Sequence, residues 1–354
     1  MQTRIAAVRA AMARHGLNQL IVSAPAAVFY LTGVAIEPGE RLLALALAAD
    51  GASHLFVNRL FPTAAPEGIA LHVHGDGQDA TADIAQVLQP GPVGVDKFWP
   101  SAFLIRLLAK KPGLIPVEGS LPVDETRMVK DAGERERLRA ASRLNDRVTA
   151  QAIAAISPEK DELALAREVL DAYASAGMVS WSPLVCYGAG CAEPHHSPDH
   201  TRLKPGDSVI LDIGGALDGY QSDMTRTVFY REASPLAREV YQVVLEAHEA
   251  GIAAVKPGRP LREVDAAARS VIERAGYGEY FTHRLGHNLG LEVHEYPDVS
   301  AVSEAVCQEG MCFSIEPGVY LPGQFGVRIE DLVLVGPQGA EDLNALDKSL
   351  RIVG

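Results

Sequence analysis

The sequence predicts two domains in succession: an α/β layer over residues 1–124, then an α+β domain over residues 125–354. Three observations carry this reading. A chain of 354 residues is longer than one core ordinarily organises, at roughly 150 residues per domain. Helix-like and strand-like stretches alternate through about the first 120 residues. After residue 178 the pattern turns to strands and glycine-rich turns, interrupted by two helical stretches.

In chain order, a helix is expected over 2–15, where Ile5, Val8 and Met12 form an apolar stripe leading into a strand at 18–23. Arg4, Arg9 and Arg14 stand in a stretch without acids that superficially resembles an organellar transit peptide, but the stripe reads as the first helix of a folded domain, and no apolar core of a secretory signal is evident. Strands near 41–48 and 52–57 flank the turn Ala49-Asp50-Gly51. Further strands near 69–74, 92–95 and 114–117 alternate with helices at 79–88 and 100–110. No G-x-G-x-x-G follows the first strand, so nothing indicates nucleotide binding. Glu118 to Gly133, rich in Gly, Pro and charge, reads as the interdomain connection. Helices follow at 133–156 and 160–176, separated at Ser157-Pro158, and the run Glu134 to Arg137 reads as a solvated helix face. Two more helices are expected near 235–255 and 261–275.

Composition narrows the function. Hydrophobic residues at 47% and charged ones at 22% are ordinary for a globular chain. A net charge of −13 opposes contact with nucleic acid or anionic lipid, so neither is an expected partner. The longest apolar run, Leu42 to Ala49, is too short to cross a bilayer. The four cysteines are too few for a disulfide framework and suggest a reducing, cytoplasmic setting. Their two C-x4-C pairs, Cys186/Cys191 and Cys307/Cys312, read as buried thiols rather than a zinc clamp.

The chemistry concentrates in the second half. Asp218-Gly219 is a two-residue hairpin signal; it sets Asp212 opposite Thr225 and Asp223 diagonal to Asp212, with both carboxylates on one face. Pro322-Gly323 lies midway between Glu316 and Glu330, so a hairpin centred there sets these two opposite each other in apolar strands. Carboxylates in such surroundings are costly without cations. His283, His287 and His294 follow in a segment where Gly286 and Gly290 permit close backbone approach, and His195, His196 and His200 occupy a loop before the Asp212 strand. Four carboxylates and one imidazole suit two divalent ions bridged by carboxylate.

These motifs, together with Tyr30-Leu-Thr-Gly33 and Arg127-Met-Val-Lys130, resemble the pita-bread metallopeptidases, in the branch containing Xaa-Pro dipeptidase (prolidase) and aminopeptidase P. The resemblance covers most of the chain. It implies a creatinase-like N-terminal α/β domain followed by an α+β pita-bread catalytic domain. It makes Asp212 a ligand of one metal, His287 and Glu316 ligands of the other, and Asp223 and Glu330 bridges between them. It further implies that a hydroxide shared by the ions attacks the scissile carbonyl, and that Glu316 shuttles the proton. His195 and His294 would stabilise the tetrahedral intermediate and handle substrate, His283 would be a further active-site histidine, and Arg328 would order the metal-site carboxylates. His196 and His200 match no family role and read as exposed loop residues.

The implied cofactor is a pair of Mn2+ or Co2+ ions, with Zn2+ an alternative, and the implied assembly a homodimer. The implied reaction is hydrolysis of the Xaa-Pro imide bond, in dipeptides first; aminopeptidase P acting on longer peptides is the alternative, and a non-catalytic peptide-binding module on the same fold a remoter one. The intact ligand set argues against creatinase and the chaperone-like relatives, and the N-terminal domain against methionine aminopeptidase. A dipeptidase must neutralise the free carboxylate of its substrate, and many prolidases place an arginine where this chain has Asp298. Arg41, in the loop Glu37 to Arg41, is one candidate for binding that carboxylate, set against a surface pairing with Glu40 or Glu37.

Overall fold

A computed structural model describes residues 2–354, which divide into two compact units at Arg127/Met128. In the N-terminal unit, α1 (Gln2–Arg14) buries Ile5, Val8 and Met12 and leads into β1 (Gln19–Val22). The next segment was not read as helical from sequence: α2 (Pro25–Thr32) starts with proline in its first turn and ends at Gly33, whose φ of 74° is the left-handed conformation that terminates helices. There follow β2 (Ala44–Ala48), β3 (Ser53–Asn58), β4 (Ala70–His74), α3 (Thr81–Val87), β5 (Gly91–Val95), α4 (Ser101–Lys110) and β6 (Leu114–Glu118). The strands form one mixed sheet in the order β4-β3-β2-β1-β5-β6, and α3 and α4 pack Ile84, Leu88, Trp99 and Leu107 against it. A helix, α5 (Leu121–Met128), occupies the stretch read as a connection.

In the second unit, α6 (Ala132–Ala154) begins at a capping box in which Asp131 and Glu134 exchange hydrogen bonds between side chain and backbone. Glu134 is therefore not part of a solvated face: it is buried, and its Oε1 accepts from the hydroxyl of Tyr220 at 2.9 Å. α7 (Glu162–Ser175) is capped by Asp161, a few residues beyond the expected break at Ser157-Pro158. After β7 (Val179–Ser180), β8 (Leu184–Tyr187) and a 3-10 turn at Gly188–Ala192 come the long strands β9 (Ser208–Leu217) and β10 (Tyr220–Tyr230). Their register matches the expected hairpin, with Asp212 opposite Thr225. α6 and α7 cover this sheet with a core that includes Leu165, Val169, Tyr173, Val209, Leu211 and Ile213.

The remaining elements are α8 (Pro235–Ala254), α9 (Leu261–Arg274), β11 (Gly286–Asn288), β12 (Glu295–Val299), β13 (Cys312–Ile315), β14 (Gly318–Leu321), β15 (Phe325–Arg328), β16 (Asp331–Gly336), β17 (Gly339–Asp342) and β18 (Ile352–Val353). A second sheet runs β12-β11-β13-β16-β17, and α8 and α9 pack over it through Val240, Val244, Val264 and Ile272, among others. The two five-stranded sheets of this unit are joined where Thr225 bridges Glu330, and β14 and β15 form a separate two-stranded ribbon. All four cysteines are free and buried; Cys186 and Cys191 share one apolar cluster, and Cys307 and Cys312 lie in two others, so they form no common clamp. Among the described residues, no helix is long and apolar enough to cross a membrane.

Candidate metal centre and active site

Each acid is placed by the pairing rules of the strand that carries it. Asp212 and Asp223 project from β9 and β10 as diagonal neighbours. Ile315 pairs with Asp331 and Gly318 with Arg328, so Glu316 and Glu330 face each other across the short break between two ladders of the same register. Freed from the ladder, their backbone amides bond elsewhere: Glu316 N–H to the carbonyl of Leu285, Glu330 N–H to that of Thr225. His287 lies in β11, beside β13, and its N–H donates to Ser314 Oγ at 2.9 Å. Gly286 is required for that approach, because a Cβ there would sit 1.9 Å from the carbonyl oxygen of Ser314.

The side chains converge on one cavity of about 630 Å3, a volume suited to a small ligand. Asp212, Asp223, His287, Glu316 and Glu330 all line it. His287 Nε2 is 3.7 Å from Asp223 Oδ2 and 3.4 Å from Glu316 Oε1. One atom each of Asp223, His287 and Glu330 lie mutually within 4.8 Å, close enough to share a cation. Burial, with repulsion from the neighbouring acids, pushes Asp223 and Glu330 well above the usual carboxylate range and Glu316 up to about 7.

The donor set fits divalent cations on three counts. Asp223 Oδ1 and Glu330 Oε1 are buried and meet no hydrogen-bond donor. His287 Nδ1 lies 3.2 Å from the carbonyl of Asn288, which fixes the tautomer that leaves Nε2 unprotonated toward the acids, and burial lowers the ring's pKa to about 3. Among the described residues, no lysine or arginine forms an ion pair with Asp223, Glu316 or Glu330. Arg328 approaches from the flank, donating to Asp212 Oδ2 at 2.6 Å, and spends its other groups on Thr225, Tyr320 and the carbonyl of Pro194.

His195, His283 and His294 line the same cavity. His195 and His294 are exposed at its wall, and the His294 ring stands edge-on to His287, their centroids 4.3 Å apart. His283 is more deeply set: Nδ1 contacts the carbonyl of Arg284 at 2.7 Å and Nε2 the hydroxyl of Tyr320 at 2.8 Å. Arg41 lies in the N-terminal unit, where Asp76 at 2.9 and 3.2 Å and Glu40 at 2.9 Å engage its guanidinium.

His196 departs from its expected exposure. It is half-buried, and its Nε2 lies 2.9 Å from Glu162 Oε2. Glu162, fully buried, also accepts from the amides of Tyr187 and Asp199 at 2.7 and 2.8 Å. These three residues have the spacing of a metal group, but donors already saturate the carboxylate, which makes it an anchor for the loop. His200 is exposed and contacts Asp161 at 2.9 Å.

Sequence reasoning passed over several participants. Tyr320 links Arg328 to His283, and it shares a strand face with Glu316 by the two-residue period, a usable signal. Thr225 donates to Glu330 Oε2 at 2.7 Å, as its position opposite Asp212 allows. Lys130 Nζ, almost wholly buried, pairs with Glu295 Oε2 at 3.2 Å; no local pattern foretells that contact. Trp181 and Arg284 also line the cavity.

The chain matches two family models, the creatinase/prolidase N-terminal domain over residues 4–129 and metallopeptidase family M24 over residues 136–337. It is 37% identical to a protein of Mycobacterium tuberculosis described as a probable dipeptidase PepE, over 99% of this chain and 96% of that one. The crystal structure of dipeptidase PepE from Mycobacterium ulcerans superposes with a TM-score of 0.91 at 35% identity, covering 99% of this chain and 97% of the other. That of a prolidase from Thermococcus sibiricus superposes with a TM-score of 0.93 at 32% identity, covering 99% of both. Family models spanning both units, and likeness along nearly the whole chain, agree with the convergence of acids and histidine: this protein belongs to metallopeptidase family M24 and carries the pita-bread fold behind a creatinase-like N-terminal domain.

Proposed function

We propose that the protein is an Xaa-Pro dipeptidase whose five residues Asp212, Asp223, His287, Glu316 and Glu330 hold two divalent cations. The observation that carries this reading is the buried, mutually repelling carboxylate cluster, with two oxygens lacking donors, facing an imidazole nitrogen held in its metal-accepting form. The cations, when bound, supply charge for the developing oxyanion and lower the pKa of water.

The protein's own groups do the rest. Glu316, lining the cavity, would take the proton of the attacking water and return it to the leaving imide nitrogen. His195 and His294, exposed at the cavity wall, donate to the oxygen on which charge develops. Arg328 holds Asp212, and its bond to Tyr320 fixes the hydroxyl that contacts His283. Arg41 would have to leave Asp76 and Glu40 to bind substrate. The proposal extends to Mn2+ or Co2+ as the working metal, to a homodimer and to a cytoplasmic setting, the last supported by four unpaired buried cysteines.

The test is product analysis of the Mn2+-loaded enzyme on Xaa-Pro and on Xaa-Pro-Yaa peptides. The dipeptide is expected to be cleaved with the higher kcat/KM, releasing free proline. Preference for the longer peptides would replace this reading with aminopeptidase P, and cleavage of neither would favour the binding module.

A further inference from the structure

A dipeptide differs from the start of a longer peptide by one charge, the carboxylate on its second residue. Resting on the dipeptidase reading, the question is which cation receives it. Two arginines line the cavity. Arg328 is fully committed: Nε donates to Thr225, Nη1 to Tyr320 and Pro194, Nη2 to Asp212. Arg284 is not. Its Nη1 donates to Asp298 Oδ1 at 2.5 Å, while Nε and Nη2 meet no partner among the described residues. The pair is partly exposed, 34% for Arg284 and 50% for Asp298, as a group awaiting a soluble ligand must be.

Asp298 itself is fixed. It stands opposite His287 in the β11–β12 pairing, so the carboxylate that tethers Arg284 is registered to a residue of the metal cluster. On the other side, Arg284 presents its carbonyl to His283 Nδ1, so its backbone is tied to the cavity wall as well. The acid found where many prolidases have an arginine thus holds an arginine reaching in from the neighbouring segment.

We propose that Arg284, oriented by Asp298, binds the C-terminal carboxylate of the substrate and so selects dipeptides over longer peptides. A guanidinium tethered through one Nη keeps its Nε–H and remaining N–H groups for a second carboxylate, and such charge-assisted pairs are the stronger class of hydrogen bond. A longer peptide places a neutral amide there and leaves the guanidinium without its anion.

The experiment compares wild type, Arg284→Met, Arg284→Lys and Asp298→Asn on Xaa-Pro and on the same substrate as its C-terminal amide, with metal content measured alongside. Arg284→Met is expected to lose kcat/KM on Xaa-Pro by about 10–100-fold more than on the amide, chiefly through KM. Arg284→Lys should recover part of the difference, and Asp298→Asn should lower it less than Arg284→Met does. Equal losses on both substrates, or no loss, with wild type still preferring the acid, would overturn the role of Arg284 while leaving the dipeptidase reading intact. A wild-type enzyme that prefers the amide or longer peptides would overturn both.

Discussion

Asp223 and Glu330 are poor residues for stability and good ones for binding cations. Each is buried beside other acids, which favours its protonated form. The sign of the resulting pH dependence follows. A carboxyl whose pKa is higher folded than unfolded stabilises the fold when protonated and loses that contribution as pH rises toward its folded value. For Glu316 the window runs from about 4.3, the usual unfolded value, to about 7. His283 and His287, lowered by burial to about 4 and about 3, act oppositely, weakening the fold as pH falls below the usual 6.5 or so. Above that point only the carboxylates among these groups still act. Metal-stripped protein is therefore expected to lose melting temperature from about pH 6.5 upward, and Asp223→Asn to flatten that decline while abolishing activity. Melting curves across pH check this; an Asp223→Asn protein that melts lower than wild type at pH 8 without metal would contradict the repulsion argument.

At the scale of elements, each exposed histidine of the site is followed in sequence by a residue tied to buried charge. His195 precedes His196, which contacts Glu162 at the start of α7, and His294 precedes Glu295, which pairs with Lys130. The loops are thus anchored one residue from the group that must be aimed. Glu162→Ala strands the amides of Tyr187 and Asp199, at a cost of about 1–3 kcal/mol for such unsatisfied groups. Lys130→Met removes one cationic partner of the buried Glu295, and breaking a buried pair in this way typically costs up to about 3–5 kcal/mol. Both should lower kcat and leave metal content unchanged, as denaturation curves, kinetics and metal analysis would show; wild-type kcat in both would remove the anchoring role.

These anchors mark where sequence reading stops. The β9–β10 register and the facing glutamates were legible because turn chemistry and the two-residue strand period are local. The Lys130–Glu295 pair joins residues 165 positions apart and has no local signature. α2 and α5 were missed because short helices carry too few turns to display a period. His196 was misread because exposure of a loop residue depends on what packs beneath it.

At the scale of the molecule, the second unit brings two five-stranded sheets together, each contributing acids to one buried, mutually repelling cluster. One brings Asp212 and Asp223; the other brings His287, with Glu316 and Glu330 at its broken ladder; the Thr225–Glu330 bridge holds them together. Helices on each sheet supply the apolar cores that support this polar cluster. The most direct measurement is therefore an equilibrium titration of chelator-stripped protein with Mn2+, following bound metal and recovered activity together. Binding of about two ions per chain, with activity returning as they bind and lost in Asp223→Asn, is the predicted result. Activity that survives complete stripping, or a chain that takes up no divalent ion, would contradict it.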